Sequence, residues 1–222
     1  MLKCLRNARQ VAAPAVAALS LALICSVGSS AASVSDPAND FLPSFSGPHN
    51  GDLDVLSANV TLNGSTFDFT ATLGGSIGET PGAVYVFGLD RGKGAPKFAN
   101  IGAPDVIFDA TFVIKNTGGG VVTDLISKTK TPIGDVTFSG ATLYAMVPVC
   151  DLPSEGFSPD QYTFNLWPEA GAANAGNREI SDFAPNNSMA PVSVATAPEP
   201  GTMALLGVGA VGIGLFRRRK AA

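Results

Sequence analysis

Oxygen-bearing side chains concentrate near the start of the chain, at spacings that would suit a hard cation. They are Asp36, Asn39, Asp40, Asp52 and Asp54. Calcium takes about six to eight oxygen ligands, largely from carboxylates, amides and backbone carbonyls. The spacing is not that of an EF-hand loop, and aspartate and asparagine also stabilise turns through their own side chains. Two interpretations therefore stay open, a calcium site or a set of turn residues, and we expect no other cofactor.

The residues that hydrolytic enzymes require are scarce. His49 is the only histidine, and the sequence around it, Pro48-His49-Asn50-Gly51, is typical of an exposed turn. A zinc centre needs several cysteine or histidine ligands, and a Ser-His-Asp triad would have to use His49. Carboxylates for glycoside hydrolysis are present, but nothing selects a pair, because most acidic residues fall on predicted polar strand faces or in turns. We expect a protein that is not an enzyme.

Trp167 is the side chain best suited to stacking on a sugar ring. In its predicted strand it lies on the polar face, together with Thr163 and Asn165. It is predicted to be either an exposed platform for extracellular polysaccharide or a residue covered by the segment 171–178.

The C-terminal tail combines three features in a fixed order. They are Pro198-Glu199-Pro200, an uncharged run over residues 201–216, and the basic cluster Arg217, Arg218, Arg219 and Lys220. A helix over the uncharged run would be about 24 Å long, which is short for a hydrocarbon layer of about 30 Å. Because basic flanking residues stay in the cytoplasm, the sequence predicts a single hydrophobic C-terminal helix with the body of the protein outside.

This tail resembles that of the PEP-CTERM proteins, which place Pro-Glu-Pro, a hydrophobic segment and an arginine cluster at the extreme C-terminus. The resemblance implies recognition of Pro198, Glu199 and Pro200 by an exosortase, a membrane protease-transpeptidase of Gram-negative bacteria that make exopolysaccharide. The basic cluster would hold the motif at the inner membrane until the protein is sorted to the cell surface or matrix. A sortase motif Leu-Pro-x-Thr-Gly is absent, and a GPI signal normally ends in its hydrophobic tail. An ordinary single-span membrane protein is the remaining alternative.

The N-terminus has the pattern of a secretory signal peptide. Three basic residues precede an apolar run from Val11 to Val27, and small residues follow. This order predicts export through the Sec translocon and removal by signal peptidase, with cleavage after Ala32. Ile24 precedes Cys25, where lipidation would need a small residue, so we do not expect a lipoprotein. An uncleaved anchor helix is the alternative.

The body between the two ends is strongly acidic. Residues 33–197 contain 7 Lys and Arg against 17 Asp and Glu, a net charge of −10. Such a surface repels phosphate backbones, so nucleic acid is not an expected partner. Cys150 is the one cysteine in this region, which excludes an internal disulfide. We expect it to be a small buried hydrophobic residue, with an intermolecular link or a nucleophile as alternatives.

The body is predicted to be all-β. Apolar and polar residues alternate over 67–73, 108–115 and 162–167, whereas residues 83–89 are apolar throughout and predict a central strand. A change of phase predicts a β-bulge near Val55, and Asn63-Gly64 predicts a hairpin. About eight to ten such strands predict a single antiparallel β-sandwich of jelly-roll or immunoglobulin size.

Four segments follow from these patterns: a signal peptide at 1–32, a β-sandwich domain at 33–185, a linker at 186–197 and a sorting signal at 198–220. The Asp-rich opening at 36–40, followed by Asp52-Leu53-Asp54-Val55 and Val60-Thr61-Leu62, loosely resembles DOMON-like and family 9 carbohydrate-binding sandwiches. That resemblance implies a sandwich fold.

Two functions are compatible with this organisation. The first is an exported, exosortase-sorted surface or matrix protein without catalytic activity, binding polysaccharide or calcium. The second is a secreted carbohydrate-active enzyme with the same tail. The lack of a catalytic constellation favours the first.

Overall fold

The computed structural model describes residues 33–170 and 176–195, and these residues form an all-β protein. The fourteen strands are β1 Val34–Ser35, β2 Val55–Asn63, β3 Thr66–Leu73, β4 Val84–Asp90, β5 Ala95–Phe98, β6 Ala103–Phe108, β7 Ala110–Lys115, β8 Gly120–Asp124, β9 Lys130–Ile133, β10 Val136–Ser139, β11 Thr142–Pro148, β12 Thr163–Glu169, β13 Ala190–Pro191 and β14 Ser193–Val194. The short 3₁₀ helices are Gly51–Leu53, Ala99–Ile101, Val149–Asp151, Pro159–Gln161 and Gly176–Glu179. The predicted signal peptide and C-terminal helix lie outside the described residues.

Two six-stranded sheets and a two-stranded sheet, the hairpin β5–β6, make up the fold. In the first sheet the order is β1-β2-β3-β11-β10, and β14 also pairs with β2. In the second sheet the order is β13-β12-β4-β7-β8-β9. The pairs within both sheets are antiparallel except β14–β2, which is parallel. The predicted all-β, essentially antiparallel fold is therefore confirmed, and the predicted central strand is confirmed as β4.

The two sheets face each other across an aromatic core. Phe69 on β3 contacts Phe87 on β4 and Phe112 on β7, with ring centroids 5.0 and 5.2 Å apart. Phe67 stacks on Tyr162 at 5.6 Å. Each of these side chains is fully buried, as the alternation of apolar residues along the strands requires when one face of a sheet packs against another.

A second apolar layer covers the outer face of the second sheet. The β5–β6 hairpin and the segment around Ile180 and Phe183 fold over this face and bury Val86 and Trp167. Strand β12 is consequently buried on both faces. The sequence had predicted a polar outer face for this strand, because Asn165 and Trp167 alternate with the core residues.

Local signals in the sequence locate the first hairpin correctly. Strands β2 and β3 are joined at Asn63-Gly64, where Gly64 has a φ of 61°, a conformation that glycine adopts without steric cost. The register of this pair shifts between Val55 and Ser57, which confirms the predicted bulge.

The predicted domain boundary at residue 185 is wrong. Strand β13 pairs with β12, and β14 pairs with β2 at Thr61 and Leu62. The N–H of Ala195 donates to the carbonyl of Leu62 at 2.9 Å. The sandwich therefore includes residues 186–195, which had been assigned to a linker, because their few apolar residues fill the edges of both sheets.

A buried ion-pair network closes one end of the second sheet. The Nε of Arg91 lies 2.7 Å from Oδ1 of Asp109, and its Nη1 lies 3.2 Å from Oδ2 of Asp124. Nη1 also donates to the carbonyl of Pro153 at 2.9 Å. Arg91 thereby joins the end of β4 to β7, β8 and the loop that follows β11. The prediction that most acidic residues are solvated is wrong for this network, in which Asp109 and Asp124 are 1% and 5% exposed.

Candidate functional site

The structure brings two of the predicted calcium ligands together with one residue that the sequence did not suggest. Asp36 and Asp40 lie at the two ends of a turn that follows β1, and Asp182 lies opposite them. One carboxylate oxygen from each residue falls within a group whose members are all within 4.8 Å of one another. Such a group presents three oxygen ligands to one point. We call these three residues the acidic cluster.

The turn is held in place by its backbone. The N–H of Asp36 donates to the carbonyl of Leu56 at 3.0 Å, which fixes the end of β1 against β2. Asn39 has a φ of 64°, in the left-handed region that asparagine tolerates better than most residues. Its N–H donates to Oδ1 of Asp54 at 2.8 Å. Asn39 and Asp54 therefore border the acidic cluster and shape the turn that carries it.

Asp52 does not belong to the acidic cluster, contrary to the prediction. Its side chain is fully buried and accepts hydrogen bonds from the N–H of Thr80 at 2.7 Å and from the Thr80 hydroxyl. The carboxylate stabilises the loop before β4. Alternation along a strand cannot predict this role, because Thr80 is 28 residues away.

Asp182 is the best fixed of the three acidic residues. It is fully buried, its Oδ2 accepts a hydrogen bond from the N–H of Val55 at 2.9 Å, and its Oδ1 accepts one from the N–H of Phe183 at 2.7 Å. These bonds leave lone pairs on both oxygens. The sequence gives no signal for this partner, since it lies 128 positions after Asp54, the nearest predicted ligand.

The acidic cluster is electrostatically unsatisfied. Oδ2 of Asp36 and Oδ1 of Asp40 are buried atoms without a hydrogen-bond partner. Among the ion pairs of residues 33–170 and 176–195, none includes these residues or Asp54. Burial is the largest cause that raises the pKa of Asp36, to about 8, and the charge of Asp182 is the next largest. Burial is the largest cause that raises the pKa of Asp182, to about 7, and the charge of Asp40 also raises it.

These properties fit either a shared proton or a bound cation. When carboxylates crowd together in a buried place, a proton relieves their repulsion, which the raised pKa values express. A divalent cation does the same more completely, and calcium prefers carboxylate oxygens in flexible arrangements. Asp36, Asp40 and Asp182 would hold it, with Asp54 adjacent.

Of the two interpretations of Trp167, the exposed platform is wrong and the covered side chain is confirmed, whereas residues 171–175 of the segment expected to cover it lie outside the described residues. The side chain is 2% exposed. Its ring contacts Phe98 and Phe108 at centroid distances of 5.1 Å and Phe183 at 6.0 Å. The indole N–H donates to Oε1 of Glu169 at 2.8 Å. Trp167 is therefore a core residue of the second apolar layer, since the β5–β6 hairpin covers the face on which it was predicted.

Two residues with potential reactivity lie at the surface. Cys150 is exposed, so the expectation that it is a buried hydrophobic residue is wrong. It lies in the 3₁₀ helix Val149–Asp151, which takes its side chain out of the alternation of β11. His49 is exposed and stacks on Phe41 with ring centroids 4.3 Å apart, as a loop histidine.

The C-terminal tail is where a comparison with known proteins gives a result. The family model described as the PEP-CTERM protein-sorting motif matches residues 196–220. The chain carries a PEP-CTERM sorting motif. The resemblance inferred from Pro198-Glu199-Pro200 and the basic cluster at 217–220 is thereby confirmed. No curated protein matches the chain.

The PEP-CTERM motif implies an exported protein that is sorted to the cell surface and processed by an exosortase. In the sequence, only Thr196 and Ala197 separate Pro198 from Ala195, the last residue of the described part of the chain, whose N–H donates to Leu62. Within residues 33–170 and 176–195, no helix has the length and apolar character needed to cross a bilayer.

Proposed function

We propose that this PEP-CTERM protein is a non-catalytic component of the cell surface or extracellular matrix of a Gram-negative bacterium, and that its acidic cluster binds calcium. Sec translocation and signal peptidase deliver it, the inner membrane holds it by its tail, and exosortase processing ends that stage. The observation that carries the sorting half is the motif at residues 196–220. The observation that carries the calcium half is the set of buried, unpartnered oxygens of Asp36 and Asp40 facing Asp182.

The burial of the acidic cluster supports a binding role over an enzymatic one. A glycoside hydrolase needs two carboxyl groups that flank a bond of the substrate, about 5 Å or more apart. Asp182 is fully buried and held by two backbone N–H groups, so a sugar polymer cannot reach it without local unfolding. The alternative of a carbohydrate-active enzyme would therefore need other residues.

The sorting proposal predicts a specific pair of chain ends. Mass spectrometry of the protein from wild-type cells is expected to find an N-terminus at Ser33 and a C-terminus that lacks Arg217 to Lys220. Cells without exosortase should retain the basic cluster, and so should a Glu199→Ala variant, because the recognition element is lost. Thr196→Ala, which lies outside Pro-Glu-Pro, is the matched control and should be processed normally. An intact C-terminus as the stable form in wild-type cells would contradict the proposal.

The calcium proposal predicts a higher melting temperature with calcium than with chelator. At a calcium concentration of about 100 times Kd, binding adds about 2.7 kcal/mol, which corresponds to a rise of about 5–10 °C for a domain of this size. Thermal unfolding of the purified full-length protein in calcium and in EGTA measures the rise. Asp36→Asn should remove most of it, whereas Asp135→Asn, at an exposed residue, should not. Equal melting temperatures in calcium and EGTA would refute the site.

The same experiment has a pH dependence with a defined sign. Since folding raises the pKa of Asp36 to about 8 and of Asp182 to about 7, the folded cluster binds protons more tightly than the unfolded chain. In EGTA, stability should therefore fall as the pH rises from about 5 to about 9. Calcium should flatten this decline, and so should Asp36→Asn, because its neutral amide replaces the protonated acid.

A further inference from the structure

The outer face of the first sheet differs from that of the second. Hairpin β5–β6 covers the second sheet with apolar residues, whereas the outward residues of the first sheet are half-buried or exposed and mostly bear hydroxyl or amide groups. Strand alternation requires this arrangement: Phe67, Phe69 and Ala71 face the core, so Asp68, Thr70 and Thr72 face outward. The result is an open polar surface on one side of the sandwich.

The outward residues form aligned rows across four strands. The register aligns one row as Asn59, Thr70, Tyr144 and Thr137. The next row is Ser57, Thr72, Thr142 and Ser139. Neighbouring strands lie about 4.8 Å apart, and alternate residues along a strand lie about 6.7 Å apart. We call these two rows, together with Met146 beside Tyr144, the hydroxyl face.

Several groups on the hydroxyl face are free to bind. Within the residues that the structure describes, the hydroxyls of Thr70, Thr72 and Thr142 have no hydrogen-bond partner in the protein. Each hydroxyl can donate one hydrogen bond and accept others. Tyr144 is 47% exposed and Met146 is 51% exposed, although β11 is an interior strand of its sheet. An aromatic ring in the middle of free hydroxyls is the composition of a surface that contacts both the C–H faces and the hydroxyls of sugars.

The charge of the hydroxyl face selects the kind of ligand. Neither row contains a charged residue. Asp68, which pairs with Met146 across the strands, accepts hydrogen bonds from Asn63 Nδ2 and the Thr66 hydroxyl. The domain that surrounds it carries a net charge of −10 over residues 33–197. A polyanion would be repelled by that field, whereas an uncharged polymer would not. A protein partner would want a larger apolar centre than one tyrosine and one methionine provide.

We propose that the hydroxyl face binds an uncharged polysaccharide, with Tyr144 stacking on a sugar ring and the neighbouring threonines bonding to sugar hydroxyls. The proposal rests on the proposed function, because such polymers are met outside the cell. It replaces Trp167 by Tyr144 as the aromatic contact, on the opposite sheet.

The test is affinity electrophoresis of the purified full-length protein in gels that contain galactomannan, dextran or hydroxyethyl cellulose, with alginate as the anionic comparison. We expect at least one neutral polymer to retard the wild type and alginate to leave it unretarded. Tyr144→Ala should weaken the retarded complex about three- to tenfold, as expected for the loss of one aromatic contact. Tyr144→Phe keeps the ring and should retain binding.

The controls distinguish the loss of the binding surface from a loss of folded structure and from a failure of the sorting proposal. Phe157→Ala removes an aromatic side chain of similar exposure, 38%, away from the hydroxyl face, and should bind as the wild type does. Melting curves check that each variant is folded. The proposal is overturned if none of the three neutral polymers retards the wild type, or if Tyr144→Ala binds as well as Phe157→Ala. Either result leaves the sorting proposal intact, because the chain ends measured by mass spectrometry do not depend on this face.

Discussion

Replacement of Arg91 by methionine is expected to destabilise the domain by about 3–5 kcal/mol, the range found when one partner of a buried ion pair is removed. Arg91 is fully buried, and its loss leaves Asp109, which is 1% exposed, without its positive partner. Asp124 is affected too. Burial opposes its ionisation, yet the Ser127 N–H and Arg91 together bring the pKa of Asp124 down to about 2. Urea unfolding of wild type and variant measures the difference.

Lys93 offers a matched control two residues away. Its Nζ lies 2.7 Å from Oε2 of Glu155, but its side chain is 56% exposed. Exposed pairs of this kind contribute little to stability, because water screens the two charges. Lys93→Met should therefore unfold at nearly the same urea concentration as the wild type. Similar losses for the Lys93 and Arg91 variants would show that the buried network is not the cause.

Replacement of Gly88 by alanine is the second change with a large expected effect. A Cβ at this position of β4 would lie 2.6 Å from Cζ3 and 2.7 Å from Cη2 of Trp167. That ring cannot retreat easily, because Phe98, Phe108 and Phe183 surround it. Overpacking of a filled core costs about 1–3 kcal/mol. We expect a lower melting temperature and a changed tryptophan fluorescence spectrum, since Trp167 is the only tryptophan.

Gly134 provides the comparison. A Cβ there would have no heavy atom within 4 Å, and its φ is not in the left-handed region. Gly134→Ala should leave the spectrum unchanged and the stability equal or slightly higher, because alanine restricts the unfolded chain. If Gly88→Ala melts as Gly134→Ala does, the close packing of Trp167 on β4 is refuted.

The strands that the sequence predicts well are those whose environment is set by neighbours in the chain. The alternation over residues 67–73 gives β3, the apolar run gives the central strand β4, and Asn63-Gly64 gives the first hairpin. These signals are a period of two, a short continuous apolar run and the turn preference of Asn-Gly. None requires knowledge of which other strand lies alongside.

The errors have a common cause, which is contact between distant segments. Residues 108–115 look like one strand, but the structure divides them at Asp109, whose carboxylate turns inward to bind Arg91, 18 residues earlier. Trp167 was placed on a polar strand face, exposed or covered by residues 171–178, whereas the separate β5–β6 hairpin covers it. A single sequence records the polarity of such residues and not the segment that folds over them.

Two of the three residues of the acidic cluster were predicted from the sequence, and the third was not, because it comes from a distant segment. Asp36 and Asp40 lie in one turn, so their proximity follows from their spacing. Asp182 reaches them only because residues 180–183 return beside β2, as the bond from the Val55 N–H to its carboxylate shows. Asp52 was misassigned, since Thr80 captures its carboxylate.

The position of β14 has a mechanical consequence for a chain held by its C-terminal end. This strand has two residues, lies at the edge of the first sheet, and is followed directly by the sorting motif. Tension on the tail would load the bond from the Ala195 N–H to Leu62 before the other bonds of the described residues. Detachment of residues 186–195 would lengthen the tether by at most about 33 Å while the aromatic core between the sheets stays closed. The edge residues of the sandwich would then extend under load, and the rest of the domain would stay folded at that force.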